Sequence, residues 1–149
     1  MTTSTNSFTL PALPGAAIAC DVTDAPDTPE ERLAEYGRLF AHALVARERR
    51  GTAVVFTLAA KPGVREWIAD LLRREAACCP FLTYQVEDGG DEIVWTTSTG
   101  AGPAAEAVLD ELFAGPERFD DGFSGLLARL AEREVKVVAD GLTRFVIAG

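Results

Sequence analysis

The chain has no run of apolar residues approaching the roughly 20 that a bilayer-spanning helix needs. Its opening stretch, MTTSTNSFTLPALPG, lacks the basic start and long apolar core of a signal peptide. A single histidine leaves no credible set for a Ser-His-Asp triad. Three cysteines, an odd number, argue against a secreted disulfide framework. The chain therefore reads as cytoplasmic, with its thiols reduced. Positive charge is scarce as well: 14 Lys and Arg against 23 Asp and Glu leave a net charge of −9. Such a surface repels phosphate backbones and anionic lipid, so neither direct nucleic-acid binding nor a membrane partner is expected.

What is present is enough chain, 149 residues, to bury one core without staples. Residues 1–14, rich in Thr, Ser and Asn, read as a flexible arm ahead of a single domain over 15–149. AAIACDV (16–22) suggests a first strand containing Cys20. Thr28, Pro29 and Glu31 supply a cap, a first-turn proline and a capping-box acid. Leu33, Tyr36, Leu39, Phe40 and Ala43 follow at helical spacing and carry helix one to about Arg47. GTAVVFTLA (51–59), β-branched and nearly uncharged, predicts a central strand buried on both faces. A second helix spans Val64 to Cys78, and EDGGDE (87–92) separates the two arms of a hairpin.

A third helix runs from Pro103 to about Phe113, with Gly115-Pro116 as its stop. Phe119, Phe123, Leu126 and Leu130 mark a fourth, and Asp140-Gly141 fits a type I′ turn between two last strands. The order β-α-β-α-β-β-α, then α-β-β, predicts an α+β two-layer sandwich. Its sheet would be mixed or partly antiparallel, with helices on one face. Residues 115–149 would extend that sheet or form a contact in a homodimer.

The chemistry concentrates at REAACCPFLTY (74–84), which ends helix two. Val64, Ile68, Leu71, Glu75 and Cys78 share one helical stripe, so a carboxylate stands where the pattern asks for an apolar residue. Glu75 is three residues from Cys78 and four from Cys79, spacings that bring side chains together. A helix C-terminus disfavours a free thiolate, whereas a bound soft ion deprotonates sulfur by its own charge. Adjacent cysteines make a poor zinc pair, but Cys20, Cys78 and Cys79 together suit a trigonal site for Hg, As, Cu(I) or Zn. His42 is a weaker ligand candidate, and a vicinal Cys78–Cys79 disulfide is an alternative. In the plain structural reading, the cysteines are core packing and Glu75 pairs with Arg73 or Arg74.

From Glu75, Cys78, Cys79 and Phe81, with Cys20 before them and Leu112-Phe113 after, residues 16–114 resemble a family of small uncharacterised actinobacterial proteins. They are also similar to the effector-side domain of some MerR-type regulators. The resemblance places Arg47-Glu48 late in helix one and implies sensing of thiophilic metals or small effectors. The chain departs from that architecture in having no basic helix-turn-helix. The leading expectation is a thiol site that binds a soft metal, a metalloid or a thiol-reactive small molecule. Alternatives are a small cysteine-dependent enzyme, with Cys78 or Cys79 as nucleophile and Glu75 as general acid/base, and a protein-interaction module. TGAGP (99–103) lacks the Gly-Lys-Ser/Thr ending of a phosphate loop and reads as a plain helix start. Trp67 and Trp95 read as core residues, and the acidic clusters as solvated loops.

Overall fold

The computed structural model describes residues 7–139 and 144–148, so the Asp140-Gly141 turn lies outside the described residues. In chain order the elements are β1 (Phe8–Leu10), β2 (Ala19–Asp21), α1 (Pro29–Ala43), β3 (Leu44–Arg50), β4 (Ala53–Ala59), α2 (Val64–Cys78) and β5 (Thr83–Asp88). β6 (Glu92–Ser98), α3 (Pro103–Arg118), a 3-10 turn (Phe119–Asp121), α4 (Gly122–Glu132), β7 (Lys136–Ala139) and β8 (Arg144–Ala148) complete them. The fold is α+β. Five strands form one sheet in the order β1-β5-β6-β4-β3 and three form another, β2-β8-β7. Among the described residues every pairing is antiparallel, so of the mixed or partly antiparallel sheet that the sequence suggests it is the antiparallel arrangement that forms.

α1 starts as its capping box dictates. The Thr28 hydroxyl accepts from the Glu31 N–H at 3.1 Å, and the Glu31 carboxylate accepts from the Thr28 N–H at 3.0 Å. The helix stops at Ala43 rather than Arg47, because Leu44 turns extended and the following residues pair with β4. Arg47 and Glu48 thus lie on β3, not on a helix. Arg47 reaches across to Glu117 and the Phe113 carbonyl, and Arg49 to Asp110, so charges that looked helical tie an edge strand to α3.

β4 is buried on one face only: Val54, Phe56 and Leu58 point into the core while Val55 and Thr57 are half-buried. Trp95, between Phe56 and Val86 in register, anchors that inner face and stacks on Tyr36 at 5.8 Å. Its indole donates to the Thr97 hydroxyl at 2.7 Å. The supposed arm contributes β1, since Phe8 and Leu10 alternate inward beside β5 and Phe8 packs under Arg73.

α3 runs through Pro116 to Arg118. Gly115 is no terminator. A Cβ there would lie 2.6 Å from the Phe119 ring, so the glycine makes room for that ring against the helix. The C-terminal elements do not extend the main sheet. β7 and β8 instead join β2, with Cys20 opposite Phe145, and α4 packs on α1, α3 and β7. Among the described residues no helix is long and apolar enough to cross a membrane.

Candidate functional site: a cavity at the end of α2

The space between α1, the C-terminal end of α2, α3, α4 and the small sheet is not filled. It leaves a partly open cavity of about 160 Å³ whose wall is mainly apolar, from Leu33, Leu109, Phe123, Leu126 and Ile147 among others. Cys20, Glu75, Cys78 and Cys79 all line it. The structure therefore brings the sequence-predicted site residues to one place. It also changes what they are.

Cys20 and Cys79 are joined in a disulfide, with their Cα atoms 4.5 Å apart. The expectation of three reduced thiols is corrected. Cys79 leaves the helix as its cap, its N–H bonding the Glu75 carbonyl at 2.7 Å, and that departure turns its side chain toward β2. The vicinal pairing of Cys78 with Cys79 is not formed. Cys78 alone is free, and it is buried. With two sulfurs bonded to each other, no three-thiolate set stands ready for an ion. Among the described residues no group of three His, Cys, Asp or Glu side chains is placed to hold a metal. His42 lies apart from the cavity, its ring 6.4 Å from that of Trp67.

Glu75 does have a cationic partner, but a distant one in sequence. Arg32 of α1, 6% exposed, donates Nη1 to the Glu75 carboxylate at 2.5 Å and Nε and Nη2 to Asp27 at 2.6 Å each. The neighbouring arginines that the plain reading nominated are engaged elsewhere. Arg74 pairs with Glu35, Asp27 and Asp70, and Arg73 lies over the Phe8 ring at 5.0 Å. One signal for Arg32 was present in the sequence. It stands four residues before Tyr36, so it too interrupts an apolar stripe, with the sign opposite to that of Glu75.

The electrostatics follow from this burial. Burial pushes the Glu75 carboxyl above its ordinary range, against the pull of the Arg32 charge and hydrogen bonds from Arg32 and Tyr36. The hydrogen bond from Arg32 holds Asp27 below the usual carboxylate range. Burial works against the Arg32 charge, but Asp27 and Glu75 outweigh it and keep the guanidinium firmly protonated. Burial also pushes the Cys78 thiol up, opposed by a contact from Arg32. Cys78 is thus a neutral thiol in an apolar wall rather than a pre-ionised nucleophile.

Two polar groups in the wall escaped the sequence reading. Glu111 of α3, 4% exposed, accepts from Arg129 of α4 at 2.6 Å, which ties those helices together beside the cavity. Tyr84 of β5, 1% exposed, lines the cavity, and among the described residues its hydroxyl has no hydrogen-bond partner. Burial raises its pKa well above the ordinary phenol value, with Glu75 and Cys78 adding to the effect. Strand alternation puts Tyr84 inside, but nothing local in the sequence reveals that its hydroxyl lacks a mate.

No known protein family model, no curated protein and no solved structure matches the chain.

Proposed function

We propose that this protein binds a small, mainly apolar, thiol-reactive molecule in the cavity at the end of α2, with Cys78 as the thiol that meets it. The observation that carries this reading is the cavity itself. A space of about 160 Å³ is left unfilled where protein interiors are ordinarily close-packed, and the free Cys78 is in its wall. Benzene occupies an apolar cavity of similar size, so the ligand would be that large or slightly larger. The resemblance to effector-side domains of MerR-type regulators points the same way, since such domains sense small effectors or thiophilic metals.

The test is labelling of folded, non-reduced protein with methyl methanethiosulfonate, a small reagent that transfers a methylthio group to a thiol. Intact mass should show one group added, peptide mapping should place it on Cys78, and Cys78→Ser should not react. Saturating toluene, which occupies the same space, should slow the reaction. A thiol that stays silent until the protein is unfolded in urea would overturn the proposal.

A second reading is favoured by the three sulfurs sharing one cavity wall. In a reducing cytoplasm, the compartment proposed for this chain, a dithiol would open Cys20–Cys79. Three thiols would then surround the space and suit As(III) or Hg(II). Arsenite binding by the reduced protein that vanishes on oxidation and in Cys78→Ser would support it. Equal binding by the reduced protein and by Cys78→Ser would end it.

A further inference from the structure

Three residues that line the cavity differ in chemistry: Cys78 with a buried free thiol, Glu75 with a half-buried carboxyl one helical turn earlier, and the buried Tyr84 with its hydroxyl. The first two have protein contacts. Arg32 bonds the Glu75 carboxylate, and it also approaches the Cys78 sulfur. The hydroxyl of Tyr84 has no partner among the described residues. A donor sealed from water and left unbonded is costly, and native structures rarely keep one without a reason. An oxygen acceptor on the ligand would satisfy it. That oxygen would sit near the carbon that Cys78 meets, because Tyr84 and Cys78 line the same cavity.

A molecule with an oxygen acceptor conjugated to a soft electrophilic carbon is an α,β-unsaturated carbonyl. We infer that this is the ligand class: a small enone or enal, held by Tyr84 through its carbonyl oxygen and captured by Cys78 through its β-carbon. The inference rests on the proposed reading of the cavity as a site for thiol-reactive molecules. Glu75 accepts the proton of the Cys78 thiol as sulfur bonds to the β-carbon. The electron pair of the C=C bond moves to the carbonyl oxygen, where the Tyr84 O–H donates to the developing enolate. The proton then passes from Glu75 to the α-carbon and the carbonyl re-forms. The sum is addition of S–H across C=C, with nothing oxidised, reduced or expelled. A neutral, poorly ionised thiol fits this sequence, since Glu75 takes its proton as the bond forms and no free thiolate is needed beforehand.

The probe is cyclohex-2-en-1-one, added to the full, non-reduced chain, with methyl methanethiosulfonate as a reagent that has no carbonyl. Wild-type protein should gain one cyclohexenone on Cys78. Tyr84→Phe, which removes only the hydroxyl, should react with the enone about tenfold more slowly or worse, in keeping with loss of an oxyanion donor. Its rate with methyl methanethiosulfonate should be unchanged. Equal enone rates in the two proteins, with the thiosulfonate labelling both, would overturn the carbonyl inference and leave the cavity reading standing. Failure of both reagents to reach Cys78 in the folded protein would remove the two together. A measurement on wild type alone covers the case in which the variant misfolds. Cyclohexanone should protect Cys78 from the thiosulfonate at about a tenth of the concentration that methylcyclohexane requires. Equal protecting concentrations would again overturn the inference.

Discussion

Arg32 is the residue on which the polar end of the cavity depends. One guanidinium serves two half-buried carboxylates, and its removal leaves Glu75 without its cation and Asp27 with Arg74 alone. Arg32→Met should lower stability by about 3–5 kcal/mol at neutral pH, the range for breaking a buried pair by deleting one partner. The loss should shrink in acid. Without Arg32, burial of Glu75 is opposed only by the Tyr36 hydrogen bond, so its folded pKa rises further above the unfolded value. A group raised in this way favours the folded state below the unfolded pKa, and that stability is lost as pH climbs through the folded pKa. Asp27 works in reverse in the wild type, because its depressed pKa makes it stabilising above the unfolded value and less so as pH falls. Urea unfolding of both proteins from about pH 7 to pH 4 should therefore show the two stability curves converging. A constant gap would mean that the carboxylates are not what Arg32 supports. Tyr84→Phe should behave differently, leaving stability unchanged or slightly higher in the absence of ligand, since it deletes a buried hydroxyl that bonds nothing described.

At the scale of elements, local signals decide the structure where they act on the backbone directly. The capping box of α1 and the Val64–Cys78 span of α2 are as the sequence predicts. Signals failed where a partner decides. LVARERR is compatible with a continuing helix, and only pairing with β4 makes it a strand. Gly115-Pro116 has the composition of a stop, yet α3 continues because the glycine is used for close packing of Phe119 and the proline falls in the last turn. This packing yields a prediction with an unusual sign. An alanine in place of glycine within a helix normally stabilises by a fraction of a kcal/mol. Gly115→Ala should instead destabilise by about 1–3 kcal/mol, as overpacking does, because its methyl would meet the Phe119 ring. Thermal unfolding would check it, and a higher midpoint would show that the ring can move aside.

Across the whole molecule, the small sheet and α4 close the cavity over the body formed by the five-stranded sheet and α1–α3. The covalent link between them is Cys20–Cys79, 59 residues apart in sequence. Closing a loop of that size limits the unfolded chain, so reduction should lower stability by roughly 4 kcal/mol. Hydrogen exchange should rise more in β2, β7 and β8 than in β4 and β6, because the link anchors the small sheet and not the central strands. Uniform loss of protection in both sheets would show instead that the two unfold as one unit.

The sequence by itself determined the α+β class, the order of most elements and the place where polar chemistry interrupts the core. Those follow from periodicity and capping, which are properties of residues a few positions apart. Glu75 on an apolar stripe was visible for that reason, and so were the adjacent cysteines at the end of α2. Tertiary structure alone decided that Cys20 bonds Cys79, that Arg32 rather than an adjacent arginine answers Glu75, and that Tyr84 is left without a described mate. Each is a contact between positions 40 or more residues apart, or the lack of one, and its formation depends on how α1, α2 and the small sheet pack together.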